Sequence, residues 1–305
     1  VTVLIRPGMG MRQIAVALKH AGVIRRAWAF EVLALVRGEA RRLQAGAYTL
    51  SPSMTPQAVL ERIASGDVAA PSRRVTVPEG WNAAQIAGAL EADRLGGGAA
   101  ALAAAANDPA LLTAAALPAP ASGTRVALEG YLFPDTYAFT SNMTAAQIFG
   151  RMLDRFNAVW TPQLAAAARA HAGLDTAQAV VLASIVQREV ADPAEMPLVA
   201  GIYLHRLQLG MPLDADPTVL YALGLVAQQH PLTGAQTDTV SPYNTYAVAG
   251  LPPGPICNPG AAALEAVADP AATHALYFLT DPQGAVITAD TLQQQIANQK
   301  KYYGT

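Results

Sequence analysis

The residue type and position that most clearly invite chemistry are those of Glu189, near the end of the run DTAQAVVLASIVQREV at residues 175–190. Wound at the helical period, Val181, Ile185 and Glu189 fall in one i, i+4, i+8 row, and Leu182 and Val186 lie on its other side. The carboxyl therefore sits within an apolar arc, while Gln187, Arg188 and Ser184 project from the opposite, polar flank. A carboxyl held against aliphatic side chains is disfavoured as an anion, so its pKa rises and it can stay protonated near neutral pH, as a general acid must. The competing reading is a glutamate in a last turn that reaches water or pairs with an arginine.

Other sites are excluded by their missing parts. There is no Gly-x-x-x-x-Gly-Lys-Ser/Thr loop, no His-Glu-x-x-His helix and no Gly-x-Ser-x-Gly elbow. His20, His171, His205, His230 and His274 are scattered without ligand spacing. The acidic run DADPT at residues 214–218 lacks the glycine turn and closing glutamate of a calcium loop, which makes helix capping the better reading of Asp216. With one cysteine, Cys257, an internal disulfide and zinc sites built on cysteine pairs are excluded.

Glu189 needs a scaffold, and 305 residues with 52% hydrophobic side chains suffice for two or more cores. Twenty Lys and Arg against 22 Asp and Glu, with no basic stripe in the pattern, argue against nucleic acid as a partner. The opening residue is Val1 rather than Met, which suggests that an N-terminal signal or anchor has been removed. The Ala-rich stretch at 96–121 does not read as a membrane span, because alanine inserts poorly and Asp108-Pro109 interrupts it. It reads as a surface helix pair.

A strand-turn-helix pattern occurs twice, beginning at Val1 and at Arg73, each strand ending at Pro-x-Gly. Between the copies the spacing predicts a helix over 27–36, a strand over 44–50 and a helix from Thr55-Pro56 to Gly66, together a small α/β module. From Thr144 the pattern turns helical: 145–158, 162–172, 176–190, 193–209 and 217–223, with Asp192-Pro193 and Asp216-Pro217 as start signals. Residues 228–260, rich in Pro, Gly, Thr and Asn, form a long shaped loop. A strand over 276–279 and a helix over 290–302 close the chain.

Four segments, LEGYLFPDTYAF at 128–139, LASIVQRE at 182–189, GMPLDADPTVLYALG at 210–224 and SPYNTYAVAGLPPGPICNPG at 241–260, resemble in order and spacing the endolytic murein transglycosylases, the MltG or YceG-like family. The likeness covers nearly the whole chain. It implies an α+β fold: a LysM-like module at 1–70, a connecting strand-helix unit with Ala-rich helices at 71–125, and a mostly helical lysozyme-like catalytic domain at 126–305. It also implies a bacterial enzyme anchored in the inner membrane, facing the periplasm and working beside peptidoglycan synthases. In the family the glutamate closing SIV-x-x-E is catalytic, here Glu189. Many relatives carry an acidic residue two positions earlier, where this chain has Gln187. Where the family's helix commonly has Asn, this chain has His205, to which no task is assigned.

The implied reaction cleaves the β-1,4 bond between N-acetylmuramic acid and N-acetylglucosamine within peptidoglycan strands, leaving 1,6-anhydromuramic acid ends. A glycosidase needs two carboxyl groups, whereas here one acid-then-base glutamate suffices. No cofactor or metal is implied. Tyr243, Asn244 and Thr245 are the first expected sugar contacts, followed by Tyr131 and Glu129, with Asp135 a further candidate. Against that stand plain packing for Tyr131, Phe133 and Tyr137, and capping or ion pairing for Glu129 and Asp135. One rival is a muramidase that uses water and a second carboxylate from Asp214, Asp216 or Glu129. Another is a wall-binding scaffold in which Glu189 is structural.

Overall fold

The computed structural model describes residues 1–6, 8–40, 42–66, 72–225 and 232–304. Pro7 of the first strand-turn-helix unit, the expected module boundary at residues 70 and 71, His230, and residues 228–231 of the long loop lie outside them. The chain divides into two compact units, Val1–Arg73 with Thr140–Asn142, and Arg74–Phe139 with Met143–Thr305.

In the first unit, β1 (Thr2–Ile5), α1 (Met11–His20), α2 (Ala27–Val36), β2 (Gly46–Thr49) and α3 (Pro56–Ala64) follow one another. β1 and β2 pair antiparallel with Val3 opposite Tyr48. Alternation buries Val3 and Ile5 on one side of β1, against Ile14, Leu18, Phe30, Tyr48 and Ile63. Thr55 accepts a hydrogen bond from the Ala58 amide, and Pro56 opens α3 where a missing N–H costs nothing.

Further along the chain come β3 (Ser72–Thr76), α4 (Ala83–Ala92), α5 (Ala99–Ala106), α6 (Pro109–Ala114), β4 (Thr136–Thr140) and α7 (Ala145–Val159). Then come α8 (Pro162–Ala167), which runs into a π-helical turn (Ala168–Ala172), α9 (Thr176–Glu189), α10 (Met196–Gln208) and α11 (Asp216–Ala222). A one-turn α12 (Gly234–Thr237), α13 (Ala261–Ala268), β5 (Tyr277–Thr280), β6 (Val286–Ala289) and α14 (Leu292–Tyr303) complete the order. β3 pairs with β4 and β5 with β6. The fold is mixed α+β, with small two-stranded sheets and a largely helical C-terminal region.

Two local expectations are corrected, and two strands are added. Neither β4 nor β6 is visible as a strand in the sequence pattern. The helix expected from Pro193 starts at Met196, because Asp192 Oδ1 accepts the Ala194 amide at 2.9 Å and closes a separate turn first. The helix expected over 162–172 widens into its π turn before Gly173 ends it at φ +70.

α9 is the axis of the second unit. Asp175 and Gln178 form a reciprocal capping box, with bonds of 2.9 and 3.0 Å, that fixes where the helix begins. Residues 179–186 are all buried, packed on α10, α11 and α13. Ser184, on the polar flank, is fully buried: it donates to the Val181 carbonyl at 2.7 Å and accepts the Ile256 amide at 3.0 Å. Gln187 likewise accepts the Gly260 amide at 2.8 Å. The polar side of α9 is where the Pro-rich end of the long loop is strapped down.

Candidate active site

Glu189 is the last residue of α9, after which Val190 turns extended at φ −132 and ψ 139. The end of a buried helix thus delivers a half-buried carboxyl to the wall of a cavity of about 490 Å³. α10 contributes Tyr203 and Arg206, the segment entering α11 contributes Asp214 and Asp216, and the long loop contributes Tyr246. The β5 strand, from Tyr277 to Thr280, and Leu292, Gln295 and Gln299 of α14 form the remaining wall.

Tyr203 Oη donates to Glu189 Oε1 at 2.7 Å, which leaves the second carboxyl oxygen for another partner. Burial pushes the Glu189 pKa up to about 7, and the nearby Asp216 charge adds to the rise. The hydrogen bond from Tyr203 and the Arg206 charge pull it back down. A group poised near 7 can give a proton and take one back under the same conditions.

Arg206 is itself fixed. Its Nε donates to the Leu276 carbonyl at 2.6 Å and its Nη1 to Leu213 O at 2.8 Å and to Asp214 Oδ2 at 3.1 Å, while the guanidinium lies over the Tyr277 ring. It ties β5 to the acidic segment. Asp214 has φ +49, an uncommon backbone state for a residue with a side chain. Asp216, expected as a helix cap, makes no side-chain cap bond: its Oδ1 accepts from Tyr246 Oη at 2.5 Å at the cavity wall. Ala215 holds the N-cap position instead.

The five expected sugar contacts are placed elsewhere, and none lines this cavity. Asn244 is fully buried, donates to the Thr237 and Thr239 carbonyls at 2.8 Å each, and accepts the Tyr246 amide at 3.0 Å. Thr245 accepts the Ala215 amide at 3.0 Å and meets the Thr218 hydroxyl at 2.9 Å. Together they hold Tyr246 and the acidic segment in place. Tyr243 accepts the Arg125 amide at 3.0 Å and packs on Tyr221. Tyr131 is buried edge-on against Phe156.

Glu129 lies in a buried network of its own, accepting from the Ala83 amide at 2.9 Å, Asn258 Nδ2 at 3.0 Å and Tyr221 Oη at 3.2 Å. Burial pushes its pKa up to about 8. Asp135 pairs with Arg155 at 2.7 Å near the surface, and the Arg155 hydrogen bond holds its carboxyl below the usual range. His205 lines a separate cavity of about 460 Å³ with His171 and His274. Among the described residues no group of three His, Cys, Asp or Glu side chains is arranged to hold a metal ion.

Sequence reasoning did not single out Tyr203, Arg206 or Tyr246. The available signal was the spacing of about one helical turn between Tyr203 and Arg206 on the largely apolar α10. For Tyr246 it was position alone, one residue beyond the expected trio.

Residues 3–301 match the YceG-like family. The chain belongs to that family. It is 31% identical over 311 residues to the endolytic murein transglycosylase of Bacillus subtilis, covering 99% of this chain and 84% of the relative. It is 30% identical over 319 residues to the protein of the same name from Streptococcus pneumoniae serotype 2, covering 98% of this chain. The chain spans 57% of that streptococcal relative. A crystal structure of a yceG-like protein from Listeria monocytogenes matches with a TM-score of 0.66 and 29% identity, covering 98% of each chain.

In this YceG-like chain the Tyr203 hydroxyl is the contact that restrains the Glu189 pKa most, so its removal has a signed consequence. Tyr203→Phe raises the Glu189 pKa further. If activity follows the protonated form, the alkaline limb of a pH–rate profile moves to higher pH in the variant. A limb that stays in place or moves down would show that Tyr203 does not set the protonation of Glu189.

Proposed function

We propose that the chain is an endolytic lytic transglycosylase of peptidoglycan in which Glu189 serves first as general acid and then as general base. The observation that carries this reading is Glu189 itself: a carboxyl with a pKa near neutrality, on the wall of a large cavity, in a chain of the YceG-like family. The names of its Bacillus and Streptococcus relatives support the same substrate.

Protonated Glu189 donates from the carboxyl oxygen that Tyr203 does not engage to the glycosidic oxygen between N-acetylmuramic acid and N-acetylglucosamine. The bond from that oxygen to the muramic acid C1 breaks, and positive charge builds on C1 and the ring oxygen. The C6 hydroxyl of the same sugar closes on C1 and gives its proton to the Glu189 carboxylate. The products are a 1,6-anhydromuramic acid end and a free N-acetylglucosamine hydroxyl, and Glu189 is again protonated. Because the nucleophile is tethered to the electrophile, little entropy is spent in recruiting it.

Asp214 and Asp216 border the space in which the positive charge develops, and Tyr277, Phe278 and Leu279 add apolar surface to the cavity wall. Sugar contacts are accordingly assigned to Tyr246, Asp216 and the β5–α14 wall. Asn244 and Thr245 are assigned to positioning Tyr246 and the acidic segment, and Tyr243 to packing against Tyr221 of α11. The first unit, with two antiparallel strands flanked by α1 and α2, supports a LysM-like reading, and the helical second unit a lysozyme-like one. A periplasm-facing location and peptidoglycan synthase partners rest on the family resemblance alone.

Asp216 in the same cavity favours one second reading, a muramidase in which it activates water. Digestion of purified glycan strands in ¹⁸O-labelled water separates the two. Transglycosylation gives anhydro-ended internal fragments without label, whereas hydrolysis gives reducing ends that carry it. Intact strands would favour a binding role.

A further inference from the structure

The first unit carries a surface that neither its core nor strand cleavage uses. α2, AWAFEVLALV, has Glu31 as its only polar residue. Phe30 and Ala34 face the unit's core. The outward side consists of Trp28, Val32, Leu35 and Val36, which are 61%, 50%, 61% and 80% exposed. At 100° per residue these four cover an arc of about 100° on the outer surface. Single exposed apolar side chains are ordinary, but a contiguous apolar helix face that includes a tryptophan marks an interaction surface.

The charge around that face points to the occupant. Arg25 and Arg26 precede α2 and Arg37 follows it, and all three are exposed. Arg37 lies 3.6 Å from Glu61, across a surface open to solvent on both sides. Residues 1–73 hold ten Lys and Arg against four Asp and Glu, a net of +6, so the remaining residues carry −8 of the chain's total of −2. The near-neutral total conceals a strongly basic first unit.

We propose that this face of α2 docks on an anionic lipid bilayer. Trp28, Val32, Leu35 and Val36 enter the boundary between headgroups and acyl chains, and Arg25, Arg26 and Arg37 meet lipid phosphates at the two ends of the helix. Tryptophan suits that depth because its ring is apolar and its N–H polar, and arginine stems can lie along the apolar layer with their heads in the phosphates. Charge complementarity selects this occupant. A second copy would bring the same basic unit against itself, and a glycan would need hydrogen-bonding groups that this arc lacks.

The test is flotation of the full chain with vesicles of phosphatidylglycerol and phosphatidylcholine and with vesicles of phosphatidylcholine alone. It is repeated for Trp28→Ser combined with Val32→Ser and Val36→Ser, and for Arg25→Gln combined with Arg26→Gln. All five positions are exposed, so thermal unfolding and strand cleavage in solution serve as controls that the variants are intact. The expected result is association with the anionic vesicles only, a loss of about tenfold or more in the apolar variant, and a weakened salt dependence in the arginine variant. No association of the wild type, or equal association of the apolar variant, overturns the proposal. So does a wild-type dimer that the apolar variant abolishes while vesicle binding is unchanged.

Discussion

Glu189→Gln slows strand cleavage by about 10²–10⁴-fold at mildly acidic pH while leaving the thermal unfolding of the chain nearly unchanged. Gln keeps the side chain's volume and can still accept from Tyr203 Oη, so the cavity wall stays in place. It cannot give a proton to a glycosidic oxygen or take one from a C6 hydroxyl. Burial raises the acid's pKa, so the active, protonated form of the wild type is present below about 7 and is lost as pH rises through that value. The variant's residual rate has no such limb. Cleavage assays on isolated strands across pH check both statements. A variant within a few-fold of wild type would move the acid to another residue, with Asp216 first in line.

Glu129→Ala acts on stability instead. It removes an acceptor shared by the Ala83 amide, Asn258 and Tyr221, and takes away the volume of a buried side chain. A cost of about 3 kcal/mol corresponds to a fall in melting temperature of roughly 6–12 °C for a unit of this size. The wild-type network has a pH signature as well. With its folded pKa raised to about 8 from the ordinary 4.5, Glu129 holds its proton more tightly when folded, so its contribution is full below about 4.5 and fades as pH climbs through about 8. Calorimetry of both proteins across that range tests this. An unchanged melting temperature in the variant would mean that the network does not hold α4 to the Asn258 strap.

What the sequence revealed was local. Thr55-Pro56 marks a helix start because the cap bonds the Ala58 amide three residues on. The apolar row around Glu189 was legible for the same reason. The strand at Arg73 was legible as well, but its partner β4 was not, since Thr76 meets Thr136 across sixty residues and β4 is too short to announce itself. Asp216 looked like a cap because Pro217 follows it, and only the arrival of Tyr246 from thirty residues away turns its carboxyl to the cavity.

The loop was recognisable as important, but its inward and outward side chains were not separable by period, since it has none. The trio 243–245 is buried at 3% exposure or less, while the next residue, Tyr246, is 38% exposed. Whole-chain charge misled in a different way: a net of −2 concealed the basic first unit, which appears only once the chain is divided at residue 73.

The measurement that bears most directly on Glu189 as a poised acid is a ¹³C NMR titration of its side-chain carboxyl in glutamate-labelled protein, assigned by the signal missing from Glu189→Gln. A midpoint near about 7, matching the alkaline limb of the cleavage rate, is the predicted result. A midpoint at the ordinary glutamate value of 4.5 would contradict it, because the carboxyl would then be ionised throughout the range in which a proton has to be given.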